Sequence, residues 1–153
     1  MPLKKYIDLF FRDITSLGSI YIFMILTLIF FFIGNYELFL RLTIGGIAIF
    51  IIAIIIRLLY FKERPNKEPY NNLFEKIDAG AFPSLHSARI TFITLVIIYS
   101  TQNFLLSMFL IIICVFVYYS RIYLKKHDYI DVIGGIIIGI IFWYFIVGLP
   151  INL

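Results

Sequence analysis

Long apolar runs with almost no charge inside them limit what this chain can fold into. They extend roughly from Leu17 to Ile33, Leu38 to Tyr60, Ser84 to Ser100, Phe104 to Tyr119 and Tyr129 to Val147. About 20 apolar residues cross a bilayer as a helix, and a helix satisfies its own backbone where water is absent. The expected fold is an all-α integral membrane bundle of about five transmembrane helices. It forms one domain over residues 1–153, with a transmembrane core at 16–147.

Composition supports this. Hydrophobic residues make up 62% of the chain and charged residues 14%, against about 25% charged in soluble domains. That is too little charge to cover a water-exposed surface. The net charge of +4 sits in short segments between the apolar runs. Lipid head groups or a phosphorylated substrate therefore fit better than nucleic acid. Cys114, the one cysteine, lies inside an apolar run and forms neither an internal disulfide nor a metal cluster.

Residues 1–15 do not read as a span, because Asp8, Arg12 and Asp13 interrupt them. Leu3, Tyr6, Ile7, Phe10, Phe11 and Ile14 recur at helical spacing, as in an amphipathic helix lying at the membrane surface. No cleavable signal peptide is expected. The first long apolar run starts near Leu17 and extends about 17 residues, longer than a removable core of about 7–15.

Polar chemistry is concentrated in two places. The longest polar segment, Lys62 to Pro83, holds Pro65, Pro69 and Asn71-Asn72 and reads as a loop. A short basic segment, Arg121 to His127, precedes the last run. Two spans separate these segments, so both lie on the same side of the membrane.

Three groups of residues carry the chemistry. Arg57 and Arg64 stand seven apart, about two helical turns, and point the same way if the helix continues. Pro65 places Arg64 at that helix end. Paired guanidinium groups match phosphate oxygens, although arginines there also simply snorkel to the interface. Pro83-Ser84-Leu85-His86-Ser87 reads as a helix start with proline in its first turn. Helix N-termini attract anions, Ser84 adds a hydroxyl, and His86 is placed to donate a proton. Finally, His127 and Asp131 are four apart and share a helix face. A carboxylate beside an imidazole sets its tautomer and leaves the other nitrogen to attack. Each group alone also fits an ordinary helix end. Together, at one face of a hydrophobic chain, they make a phosphoryl-transfer site.

These segments resemble the signature of the type 2 phosphatidic acid phosphatases and their vanadium haloperoxidase relatives. That signature is Lys, six residues, Arg-Pro; then Pro-Ser-Gly-His; then Ser-Arg, five residues, His, three residues, Asp. The chain has Arg57, six residues, Arg64-Pro65; Pro83-Ser84-Leu85-His86; and Ser120-Arg121, five residues, His127, three residues, Asp131. Ser16-Leu17-Gly18-Ser19 is a weaker echo. Arg57 replaces the usual Lys and keeps its charge; Leu85 replaces Gly and still supplies a backbone N–H.

The resemblance implies a metal-independent lipid phosphatase without a cofactor. In it His127 is the nucleophile, forming a phosphohistidine, Asp131 its orienting partner, and His86 the acid and then the base. Arg57, Arg64, Arg121, Ser84 and the Leu85 N–H bind phosphate, with Ser120 a further binding candidate. Candidate substrates are undecaprenyl pyrophosphate, phosphatidylglycerophosphate, phosphatidate and the 1-phosphate of lipid A; the short form favours the first. Lys62, Lys125, Lys126 and Arg89 are not signature positions, though Arg89, one turn beyond His86, is placed to attract substrate. Tyr119, Tyr123 and Tyr129 read as interfacial aromatics.

Two other classes compete. A phospholipid-binding or transport protein keeps the arginines but has no need of both histidines and Asp131 at these spacings. A haem or quinone protein places histidines mid-span, where this chain has none. Lys4, Lys5, Arg12, Lys67 and Lys76 share the side of the site, which by the positive-inside rule is cytoplasmic. A phosphate-binding face is basic for its own reasons, however, and the family's sites usually face outward. The expected location is the cell (inner) membrane with an external site.

Overall fold

The computed structural model describes residues 2–67 and 69–150. Among them the protein is all-helical: α1 (Pro2–Thr15), a 3-10 turn at Ser16–Gly18, α2 (Ile20–Phe32), α3 (Tyr36–Leu59), α4 (Leu73–Ala79), α5 (Leu85–Thr101), α6 (Phe104–Tyr123) and α7 (Tyr129–Val147). Polar side chains start six of them. Ser19, Asn35, Asn72, Ser84, Asn103 and Asp128 each accept a backbone N–H at the start of the following helix, satisfying donors the helix leaves open.

Three helices, α3, α6 and α7, are long and apolar enough to cross a membrane. A fourth crossing arises if α1 and α2, bent by 48° at the 3-10 turn, count as one broken span. The run expected from Leu17 to Ile33 is therefore shorter as a regular helix, starting at Ile20. Packing explains the break. A Cβ on Gly18 would lie 3.0 Å from both Cβ and the carbonyl oxygen of His86, so the turn presses directly on the start of α5. Nor does α1 stand alone. Phe10 meets Phe116 edge-on at 5.9 Å, Phe11 lies 4.5 Å from the Tyr123 ring, and the Tyr123 hydroxyl donates to Asp8 at 2.6 Å. The amphipathic helix is thus docked on α6.

At the centre is α5, whose residues Ser87 to Thr94 are all buried. Phe92, Ala88, Ile93 and Val96 meet Leu42 and Ile49 of α3 and Ile146 of α7 in the main core. The closest approach is to α7. A Cβ on Gly135 would fall 2.4 Å from the Ser84 carbonyl oxygen and 2.9 Å from Ser87 Cβ; one on Gly139 would fall 2.7 Å from the Ala88 carbonyl oxygen. Small residues one turn apart let two helix backbones touch, the packing mode membrane helices favour. Away from this face, Arg41 is buried on α3 and donates to the carbonyls of Ile146 and Val147 at 2.6 and 3.1 Å. A cation there meets the negative end of the α7 dipole.

The long polar segment is not wholly loop. Asn72 accepts the Glu75 N–H at 2.8 Å while Glu75 accepts from Asn71 N and the Asn72 side chain, and this local network starts α4. At the other end of the chemistry, α6 continues past Tyr119 to Tyr123.

Candidate active site

Backbone bonds tie the three sequence segments together at one end of the bundle. The N–H of Ser84 donates to the Asp131 carbonyl at 3.0 Å, joining the starts of α5 and α7. Asn66 N–H donates to the Lys125 carbonyl at 3.0 Å, and Ala81 N–H to the Lys62 carbonyl at 2.7 Å. These bonds close a cavity of about 60 Å³ lined by Arg57, Arg64, Asp78, Leu85, His86, Arg89, Arg121 and His127. Residues from all three segments line it.

The two arginines of the first segment reach the cavity differently from the expectation. Helix α3 ends at Leu59, with Tyr60 already extended, so Arg57 and Arg64 do not lie along one helix. Arg64 stands in the following segment, beside the isolated bridge between Glu63 and Gly80. Pairing with Gly80 and Ala81 gives this stretch partners that a further helical turn would remove. Arg57 is buried and donates to the Ile77 and Pro83 carbonyls at 2.9 and 3.0 Å. Its Nε is buried with no hydrogen-bond partner. Such an orphaned donor has a place for an added acceptor. Arg64 donates to the Asp78 carbonyl.

In the second segment Ser84 is the N-cap of α5 and Pro83 precedes it, rather than lying in the first turn. The Ser84 hydroxyl oxygen accepts from Ser87 N and Ser87 Oγ at 3.4 and 3.0 Å, and the residue is fully buried outside the cavity wall. Leu85 and His86, in the first turn, do line the cavity. Arg89 lines it too, buried and donating to the Gly18 carbonyl at 3.1 Å. The Ser16–Gly18 turn thus braces both His86 and Arg89.

The third segment supplies Arg121, His127 and Asp131. Arg121 is buried at the end of α6 and donates to Thr15 Oγ1 at 3.0 Å. Ser120 is fully buried, and its hydroxyl donates to the Val117 carbonyl at 2.6 Å within the helix, away from the cavity. His127 sits just ahead of α7 and is 2% exposed. Its Nδ1 lies 3.7 Å from Asp131 Oδ2, an ion-pair distance too long for a hydrogen bond. Nε2 is on the opposite side of the ring. Burial holds the His127 pKa below the usual imidazole value. Arg121 and Arg64 add to the effect, while the negative charge of Asp131 opposes it. The imidazole is therefore neutral at neutral pH, the form with a lone pair to donate.

Two features of the site escaped the sequence reading. Lys62 places Nζ 2.6 Å from Asp128 Oδ2 and 2.7 Å from Asp131 Oδ1. Asp78 is an acid on the cavity wall, supplied by α4. Neither has a signature position, and only the pairing of Lys62–Glu63 with Gly80–Ala81 brings them in. Among the described residues no three His, Cys, Asp or Glu side chains are grouped to hold a metal ion. Cys114 is buried beside Thr94 Oγ1 at 3.1 Å, as a core residue.

A largely buried cluster of arginines thus surrounds two histidines on a scaffold with helices long and apolar enough to cross a membrane. Residues 42–152 match the family model of the PAP2 superfamily, and the chain belongs to that family. Among solved structures it is similar to LpxE of Aquifex aeolicus, with 24% identity over 94% of this chain and 87% of that one and a TM-score of 0.78. It is also similar to the transmembrane PAP2 type phosphatidylglycerolphosphate phosphatase of Bacillus subtilis. There the identity is 21% over 94% of this chain and 76% of the other, with a TM-score of 0.76. At these identities the two share the fold. No match to the chain is found among curated proteins.

Proposed function

We propose that the protein hydrolyses a phosphomonoester or pyrophosphate on a membrane lipid through a phosphohistidine intermediate. The observation that carries this is the placement of His86 and His127 on one cavity whose walls also hold Arg57, Arg64, Arg89 and Arg121. The arginines bind the phosphate oxygens and stabilise the charge that builds on them. Nε2 of His127 attacks phosphorus as the bond to the leaving oxygen breaks, and His86, protonated once the negative charge of the phosphate lies beside it, gives that oxygen its proton. Water then attacks the phosphorus–nitrogen bond, His86 takes a proton from it, and inorganic phosphate leaves with His127 restored. Asp131 orients the ring throughout. Ser84 acts by capping α5, which fixes the Leu85 N–H and His86.

A lipid substrate is supported by what adjoins the site. A cavity of about 190 Å³ shares Arg57, Asp78 and Leu85 with it and is otherwise lined by Phe50, Ile54, Phe74 and Ile77. Phe50 also lines an apolar groove of about 370 Å³ between α2 and α3. A polar end and an apolar continuation match a phosphate on a hydrocarbon chain. Filling the continuation by Ile54→Trp is expected to raise KM for a long-chain lipid phosphate about tenfold, roughly 1.4 kcal/mol. Hydrolysis of a short, water-soluble phosphate ester is expected to stay unchanged. Equal effects on both substrates would remove the apolar cavity from the substrate path.

Substrate identity is tested by phosphate release in detergent with excess chelator. The lipids to compare are undecaprenyl pyrophosphate, phosphatidylglycerophosphate, phosphatidate and lipid A 1-phosphate, and release from at least one is expected. Binding of these lipids with release from none would make the protein a phospholipid binder or transporter instead. The bundle is read as five crossings, with the bent α1–α2 unit and the short, buried α5 joining α3, α6 and α7, and with the site on the external face of the cell membrane. Lys67, beside the site, has a side chain 77% exposed, and the native Cys114 is buried. A membrane-impermeant thiol reagent is therefore expected to label Lys67→Cys in intact cells. Labelling only after lysis would place the site inside.

A further inference from the structure

Lys62 stands five residues beyond Arg57 and two before Arg64, in neither case at a signature position. Its ammonium nevertheless reaches across to the start of α7. There it bonds Asp128 Oδ2 at 2.6 Å and Asp131 Oδ1 at 2.7 Å. Asp131 is fully buried. Its second oxygen, Oδ2, accepts the Asp128 N–H at 3.0 Å and faces His127 Nδ1 at 3.7 Å. Asp128 completes the frame by accepting the Asp131 N–H at 3.0 Å. The carboxylate beside the nucleophile is thus held by a backbone donor on one oxygen and by a lysine on the other.

We propose that Lys62 is a positioning residue that acts on His127 through Asp131: it fixes the carboxylate and takes up part of its charge, and so sets how strongly His127 binds a proton. The proposal rests on the phosphatase reading for its purpose, but its geometry stands apart from it. A lone buried aspartate beside an imidazole favours the imidazolium. An ammonium on the far oxygen reduces that pull. The nucleophile then stays neutral for attack, and its phosphorylated form is a better leaving group when water arrives. Burial of the Lys62 ammonium would by itself lower its pKa, but the bonds to Asp128 and Asp131 outweigh it and raise the pKa. The lysine therefore stays charged over the working pH range.

The other charged or titratable groups around His127 come from every neighbouring element: Arg64 from the segment after α3, Asp78 from α4, His86 and Arg89 from α5, Arg121 from α6 and Asp131 from α7. Lys62→Met takes the ammonium away from Asp131 and leaves the other groups in place. Protonated His127 cannot attack, so activity is lost as pH falls through its pKa. Raising that pKa moves the loss to higher pH.

The experiment is a ring titration of His127 by nuclear magnetic resonance in detergent micelles. A His86→Gln background leaves His127 as the single histidine, since the chain has two. In Lys62→Met the titration is expected to move up by about one pH unit. Lys62→Arg, which keeps the charge, is expected to remain near the parent. In the active parent background the acid limb of kcat/KM moves with the ring titration. Lys62→Gln keeps a donor without the charge, and the same upward shift is expected if Lys62→Met does not fold. An unchanged titration in the neutral variants, or a shift of the same size in Lys62→Arg, overturns the proposal. An upward shift in a protein that hydrolyses no lipid phosphate would uphold the role of Lys62 and sink the phosphatase reading.

Discussion

Replacing His127 with alanine is expected to lower kcat on a lipid phosphate by roughly 10⁴-fold or more, about 5 kcal/mol in the barrier. The size follows from what remains. Arg57, Arg64, Arg89 and Arg121 still line the cavity, so substrate binding survives and KM changes little. No covalent intermediate can form at position 127, and in the proposed mechanism His86 moves protons at the leaving oxygen. The measurement is steady-state phosphate release, with a rapid quench to trap phosphoprotein. Wild-type protein yields a species labile in acid and stable in base, as a phosphorus–nitrogen bond requires; His127→Ala yields none. Normal turnover in the variant would end the proposed mechanism. Because His127 is 2% exposed, its removal leaves a small void, and an unchanged thermal midpoint is needed to assign the loss to chemistry.

Gly135→Val is expected to cost about 3 kcal/mol or more of stability, the upper range for overpacking. The added Cβ alone would meet the Ser84 carbonyl oxygen at 2.4 Å and Ser87 Cβ at 2.9 Å. One of these is backbone, so no rotamer change relieves the contact and α5 and α7 have to part. That separation also breaks the bond from Ser84 N–H to the Asp131 carbonyl, so activity falls with the fold. The comparison is Gly148→Ala, whose Cβ meets nothing nearer than 3.5 Å. Its thermal midpoint in detergent is expected to match the parent, while Gly135→Val falls well below it. A stable Gly135→Val protein would mean that this helix contact is not needed.

The positions of His86, His127 and Asp131 within their segments were readable from the sequence because their spacing is a local property. His86 follows Ser84 within one helical turn, and His127 precedes Asp131 by four residues wherever the bundle places them. That Arg57 and Arg64 meet the same cavity was also readable; that they do so from different elements was not. The end of α3 at Leu59 is set by pairing with Gly80 and Ala81, some twenty residues on. Ser84 and Ser120 show the same limit. Hydroxyls suited to bind phosphate turn out to serve the helices that carry them. Lys62 stood outside the signature, and only the fold puts two aspartates beside it. The glycines of α7 are plain in the sequence, but nothing there says that Ser84 and Ser87 lie opposite. The first apolar run likewise gave no sign that Gly18 would pack on His86 and bend it.

The bonds that close the cavity are of two kinds. On the side of α5 and α7, backbone meets backbone at Ser84 and Asp131. On the side of α4, the guanidinium groups of Arg57 and Arg64 hold the carbonyls of Ile77, Pro83 and Asp78. The α4 side is tied by backbone too, through Ala81 N–H and the Lys62 carbonyl, so neither side is held by side chains alone. Arg57 and Arg64 also line the cavity. The groups that hold its frame and the groups that face its interior are thus in part the same.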